Sequence, residues 1–197
     1  MSHYFSKNTD TKSNEKTIAY TYRGFNLSFI SDHGVFSKDH VDGATDLLLN
    51  HLNINNGASI LDLGTGYGII GISVTKAFQT KTQMIDINER ALTLATRNAQ
   101  LNNVDVKIIY SDGFEAVNES FDHIISNPPI RIGKQSLYQL FKTAKEHLNK
   151  NGALWLVMHK KHGALSAIEF LKNHYEVHVV KKQKGFHVLQ CINSLTN

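Results

Sequence analysis

Four short stretches carry residue types whose spacing could do chemistry. In Asp62-Leu63-Gly64-Thr65-Gly66-Tyr67-Gly68 a carboxylate stands just before three glycines at every second position. An apolar run, 59–63, leads in, and a helical pattern starts at Ile69. Glycine permits positive φ and lets a ligand approach the backbone closely. The free N–H groups of a helix start suit a polar or anionic group. The stretch therefore reads as strand, tight turn and helix N-terminus, the nucleotide-binding turn of a doubly wound α/β fold. Asp86 lies 18 residues beyond Gly68, at the end of the next expected strand. Its carboxylate can accept hydrogen bonds from both hydroxyls of a ribose. Asp112 follows a third strand, and Asn127-Pro128-Pro129 follows a fourth and holds the chain's only two prolines. Adjacent prolines stiffen the backbone and remove two N–H donors. What remains is a rigid pair of acceptors, the Asn127 amide oxygen and the Pro128 carbonyl, suited to holding an amino group by its two hydrogens.

Alternating strands and helices must position these groups. Strands are expected at 59–63, 82–86, 105–110, 121–126 and 153–158, with helices at about 68–78, 88–102, 134–149 and 163–173. The helix at 134–149 places Leu137, Leu140, Phe141, Ala144 and Leu148 at helical spacing. An earlier helix, about 39–52, follows Gly34-Val35-Phe36-Ser37, with Ser37 as its expected cap. Two β-rich runs, 17–22 and 25–30, flank Arg23-Gly24 and read as an N-terminal hairpin added to the main sheet. Two more, 175–181 and 186–192, close the chain around Lys184-Gly185. Repeated strand–helix units call for a mainly parallel sheet with helices on both faces. In such a sheet a ligand binds at the carboxyl ends of the strands, where all four stretches fall.

The 197 residues suit one domain, 1–197, with residues 1–16 polar and expected to be poorly ordered. Hydrophobic residues make up 41% and charged residues 19%, an ordinary globular balance. No apolar run approaches the ~20 residues needed to cross a bilayer, and the start of the chain has no apolar signal core. One cysteine, Cys191, precludes an internal disulfide, and a reducing, cytoplasmic setting is expected. Eleven histidines are scattered without ligand spacing, so no metal is expected. The net charge of +4 admits a polyanionic partner without demanding one. Basic residues gather near the start (Lys7, Lys12, Lys16, Arg23) and near the end (Lys160, Lys161, Lys181, Lys182, Lys184). Polyanion binding and a merely solvated surface both account for them.

The pattern Asp62-x-Gly64-x-Gly66-x-Gly68 resembles the S-adenosylmethionine (SAM) loop of class I methyltransferases. That resemblance implies a seven-stranded, Rossmann-like sheet whose last strand is inserted antiparallel. It implies SAM as cofactor, held by Asp62, Gly64, Thr65, Gly66, Gly68, Asp86 and Asp112, with Asp62 on the methionine amino group and Asp112 on the adenine amino group. Asn127-Pro128-Pro129 resembles the motif of enzymes that methylate planar exocyclic or amide nitrogens. Together with Gly34-Val35-Phe36-Ser37 and Asp86-Ile87-Asn88, these features resemble the bacterial small-subunit rRNA guanine-N2 methyltransferases, as a single-domain relative. The resemblance implies Asn127 and Pro128 as catalytic residues, Pro129, Ile130, Arg131 and Phe36 as substrate contacts, and RNA, free or in a subunit particle, as partner. Two departures stand out. The extra N-terminal domain of full-length members has no counterpart in these residues, and Ile130 occupies the position usually held by an aromatic.

Other readings stay open on sequence. Adenine-N6 and protein-glutamine methylation use the same chemistry. A catalytically silent RNA-binding module would keep the same fold. A nicotinamide oxidoreductase is disfavoured, because the dinucleotide fingerprint needs glycine where Ile69 stands.

Overall fold

A computed structural model describes residues 14–32 and 40–194. Its elements are β1 (Lys16–Tyr22), β2 (Phe25–Ser31), α1 (Gly43–Leu49), β3 (Ser59–Leu63), α2 (Ile69–Phe78), β4 (Lys81–Asp86) and α3 (Glu89–Leu101). There follow β5 (Lys107–Tyr110), β6 (Phe121–Ser126), α4 (Lys134–Glu146), β7 (Leu148–His159), α5 (Ala164–Lys172), β8 (Glu176–Gln183) and β9 (Phe186–Ile192). Seven strands form one sheet in the order β5-β4-β3-β6-β7-β9-β8. β5, β4, β3, β6 and β7 run parallel, and β9 is antiparallel to both its neighbours, β7 and β8. This is the expected class I methyltransferase sheet, with the last strand inserted against the grain.

Each face of the sheet has its own core. Ile60, Met84, Ile125, Trp155 and Val188 face α1, α2, α3 and the β1–β2 hairpin. Leu61, Ile85, Ile124, Leu154 and Leu189 face α4 and α5. Strands covered on both faces read as continuous apolar runs, and for that reason Ser59–Leu63 and Phe121–Ser126 fall where the sequence puts them.

The hairpin does not join the main sheet as expected but pairs only with itself, because two asparagines of α3 moor it over the helix layer. Ile30 N donates to Asn98 Oδ1 (2.7 Å), and Asn98 Nδ2 returns a bond to Ile30 O (2.9 Å). Ser28 and Asn102 repeat the exchange four residues on (3.0 and 2.8 Å). Spacing i, i+4 puts both amides on one helix face. Asn98 Nδ2 also donates to Tyr67 O (2.8 Å), so one side chain joins the hairpin to the glycine turn.

Several boundaries differ from expectation. α1 begins at Gly43, not near 39, because Asp42 caps it by accepting from Ala44 N and Thr45 N; Ser37, the expected cap, lies outside the described residues. α4 ends at Glu146, and Leu148, which fits the helical spacing, opens β7 instead by pairing with Phe121. β7 thus starts at Leu148, where 153 was expected, with a register shift before Ala153. At the N-terminus β1 already includes Lys16, within the stretch expected to be poorly ordered.

Candidate active site

The strand register brings the four stretches to one edge. Asp62 pairs with Met84 and Ile125, and Asp86 pairs with Tyr110. Gly64, Asp86, Asp112 and Asn127 each lie two residues past one of those levels on neighbouring strands. The ladder of a parallel sheet therefore levels the strand ends: Asp86 closes β4, and Gly64, Asp112 and Asn127 stand in the loops that leave β3, β5 and β6.

Gly64, Gly66 and Gly68 have φ of 75, 57 and 96°. All lie in the left-handed region that non-glycine side chains resist. A Cβ on Gly64 or Gly66 would meet nothing within 4 Å, so the turn borders open space. Gly68 is different, since a Cβ there would lie 2.8 Å from Ile72. It serves close packing at the start of α2, whereas Gly64 and Gly66 leave room for a ligand.

Asp62 is fully buried at the end of β3. Its Oδ2 accepts from Thr65 Oγ1 (2.6 Å) and from Gly71 N (2.8 Å). Its Oδ1 is buried without a partner. Burial raises the Asp62 carboxyl to about 7, although the bonds from Thr65 and Gly71 work against that rise. An orphaned buried carboxylate oxygen of this kind calls for a donor or cation from outside the chain. Asp86 is also held above its ordinary range, chiefly by burial, despite bonds from Gly66 N (2.8 Å) and Asn88 N (2.9 Å). Its bond to Gly66 ties the second strand end to the glycine turn.

A cleft of about 440 Å³ opens beside the turn. Leu63, Gly64, Asp86, Ile87, Asp112, Phe114 and Pro129 line it from the strand ends and the loops after them, and Ser136, Gln139, Leu140 and Thr143 line it from α4. Phe114 stacks on His147 at 4.7 Å between ring centroids, which fixes the floor between β5 and α4. A half-open, mostly apolar cleft with Asp86 and Asp112 in its lining fits an adenosine.

Asn127 does not line this cleft. Its Nδ2 donates to Asp42 Oδ2 (3.1 Å) and Thr45 Oγ1 (3.0 Å) at the start of α1. Its Oδ1 accepts no hydrogen bond among the described residues. Pro128 is buried, Ile130 is 39% exposed, and Arg131 is exposed in a 3-10 turn ahead of α4. Phe36 lies outside the described residues. Sequence reading missed Asp42, Thr45, Gly71 and the α4 wall. Asp42 followed by a helical run was a legible cap signal, but nothing local linked it to Asn127.

The residues present fit SAM. The orphaned Asp62 oxygen suits an ammonium group, the open glycine turn a chain lying along it, and Asp86 a ribose. Among the described residues there is no group of three or more His, Cys, Asp or Glu that could hold a metal, and no helix is long and apolar enough to cross a membrane.

Comparison with known proteins agrees. The chain is 43% identical over 196 residues to "Uncharacterized protein YbxB" of Bacillus subtilis, covering 95% of this chain and 96% of that protein. It is 34% identical over 177 residues to the ribosomal RNA small subunit methyltransferase C of Actinobacillus succinogenes, covering 85% of this chain and 52% of that protein. The chain thus spans about half the length of the methyltransferase C proteins it matches. The T. thermophilus 16S rRNA N2 G1207 methyltransferase in complex with AdoMet and guanosine superposes with a TM-score of 0.82 at 22% identity, over 90% of this chain and 50% of that one. A methyltransferase from Pyrococcus furiosus superposes with a TM-score of 0.68 at 27% identity, over 76% and 81%. The family described as "Methyltransferase small domain" matches residues 26–190, and the chain belongs to this family of SAM-dependent methyltransferases.

Proposed function

We propose that the protein, as one methyltransferase domain over 1–197, methylates an exocyclic amino nitrogen, guanine N2 of small-subunit rRNA. The observation that carries the reading is the fixed orientation of Asn127. With Nδ2 held by Asp42 and Thr45, its Oδ1 is the acceptor left for a substrate, and the Pro128 carbonyl is the second. The relatives named as small-subunit rRNA methyltransferases support RNA over other carriers of an amino group.

SAM supplies an electrophilic methyl group when bound. The residues of the chain do the rest. Asp62, Thr65, Asp86, Asp112 and the glycines Gly64, Gly66 and Gly68 hold and orient the cofactor. The lone pair of an exocyclic amine is delocalised into its ring, so the nitrogen must pyramidalise to react. Two fixed acceptors on its hydrogens favour that geometry and stabilise the positive charge that develops. Positioning contributes much of the remaining acceleration. No strong base is required, because the proton can leave after transfer. Pro129, Ile130, Arg131 and Phe36 border the target base, which must be unstacked to enter. With Ile130 in the usual aromatic position, stacking falls to other residues, and Arg131 is free to meet a phosphate.

The test is methyl transfer from labelled SAM to undermodified small-subunit rRNA, free and in particles, with nucleoside analysis. N2-methylguanosine, lost in Asn127→Ala while SAM binding persists, is the expected result. N6-methyladenosine would reassign the base. SAM binding without label on any RNA would overturn the RNA reading and point to a protein glutamine or a silent module.

A further inference from the structure

The cluster of basic residues at the end of the chain takes a definite form in the fold. β7 runs past its last pair with β6, Leu156 opposite Ser126, and ends at His159. There the chain turns through Lys160–His162. The β8–β9 hairpin brings Lys184-Gly185 to the same place, since His159 pairs with Phe186. Lys160 N donates to Gly185 O at 2.8 Å. His159 Nδ1 accepts from Lys161 N (3.1 Å), and its ring meets Phe186 edge-on at 4.7 Å. A Cβ on Gly185 would lie 2.5 Å from His159 Nε2, so only glycine lets the two turns close up. Two lysine-bearing turns far apart in sequence are thus locked side by side.

The two turns themselves carry charge of one sign. Lys160, Lys161, Lys182 and Lys184 are exposed and Lys181 is half-buried. No Asp or Glu occurs from 159 to 168 or after Glu176. Glu169 pairs with Lys172, and Glu176 is engaged by His178 and Ser194 at the opposite end of β8. Lys181 pairs in register with Val188 and Lys182 with His187, so the lysines reach both faces of the sheet edge.

We infer that this surface docks the phosphodiester backbone of the RNA strand that carries the target base. This rests on the reading of RNA as substrate. The cluster sits at the carboxyl edge of the sheet, the edge that also holds Asn127 and the cofactor cleft. β7, β9 and β8 are the first, second and third strands beyond β6. At about 4.8 Å per strand the lysines stand roughly 5 to 15 Å to the side of the Asn127 column. Lysine is a mobile, strongly hydrated point charge, suited to phosphates whose sequence does not matter. Phosphate contacts position a nucleic acid and base contacts specify it; the surface would do the first and Asn127 the second.

The test compares wild type with Lys160→Gln/Lys161→Gln, Lys182→Gln/Lys184→Gln, the quadruple variant, and the matching quadruple Lys→Arg variant. Binding to a small-subunit rRNA fragment is followed by anisotropy across salt, alongside SAM affinity and methyl-transfer kinetics. Each glutamine pair should raise KM for RNA severalfold and the quadruple variant at least tenfold, with kcat and SAM affinity unchanged. The slope of log affinity against log salt should become shallower by about 0.7 for each phosphate no longer neutralised, and the arginine variant should restore it. Unchanged KM and salt slope in an active quadruple variant would overturn the surface and leave the methyl-transfer reading standing. RNA bound through these lysines but never methylated would do the reverse. Failure of wild type to bind RNA would overturn both, and lysine-dependent binding to phosphatidylglycerol vesicles alone would assign the surface to a membrane.

Discussion

The Asn127 amide is oriented by the capping residue of a helix 85 positions earlier in the chain: Asp42 Oδ2 takes Asn127 Nδ2 at 3.1 Å while also capping α1. One oxygen therefore fixes both the helix and the amide. Serine caps a helix about as well as aspartate but is too short to reach Asn127. Asp42→Ser should keep the melting temperature within a few degrees and leave SAM affinity intact. Its kcat should fall by about 10- to 100-fold, the scale on which orienting partners act at metal sites. Asp42→Asn still presents an oxygen and should recover most of the loss. Steady-state kinetics with thermal melts of both variants separate orientation from folding.

If Asp62 holds the SAM ammonium as proposed, cofactor affinity should depend on pH. Unfolded it titrates near 3.8, and burial raises it to about 7. Its contribution to stability is therefore full below 3.8 and declines as pH rises towards 7. A cationic ammonium favours the ionised form, so binding below pH 7 must expel a proton. SAM affinity should rise with pH between about 5.5 and 7, by at most about tenfold per unit, and level off above. Titration calorimetry in buffers of different ionisation enthalpy measures the released proton, and Asp62→Asn should abolish its release.

Asn98 holds the hairpin and the glycine turn together. Asn98→Ala would strip partners from Ile30 N, Ile30 O and Tyr67 O in a buried setting. Unsatisfied buried groups cost about 1–3 kcal/mol each, partly relieved by relaxation. A loss of about 2–4 kcal/mol is expected, equivalent to roughly 5–15 °C in melting temperature for a chain of this size. Urea unfolding checks it.

Gly71 approaches the neighbouring strand closely. A Cβ there would come within 2.7 Å of Met84 and 3.0 Å of Asp62 Oδ2. Gly71→Ala should cost about 1–3 kcal/mol through overpacking and weaken SAM binding by displacing the Gly71 N–Asp62 bond. Gly64→Ala also strains the backbone but meets no neighbour. Comparing the two by melting and by SAM titration separates crowding from strain.

Much of the fold was legible because its signals are local. Buried strands such as Ser59–Leu63 announce themselves as short apolar runs, and Gly64 to Gly68 mark the turn after the first. Leu148 misled for the same reason. It repeats the α4 spacing, and only its pairing with Phe121, decided by the neighbouring strand, moves it to β7. The candidate site was legible where strand ends define it, at Asp62, Asp86, Asp112 and Asn127. What holds Asn127 was not, because Asp42 and Thr45 reach it through tertiary packing that no spacing encodes.

The hairpin outside the main sheet would ordinarily expose a strip of unsatisfied backbone along β2, a template on which another chain could add a strand. The amides of Asn98 and Asn102 occupy the outward groups of Ile30 and Ser28. Two side chains thus stand where a neighbouring molecule's backbone would otherwise add, and that edge is protected from runaway aggregation without a further strand.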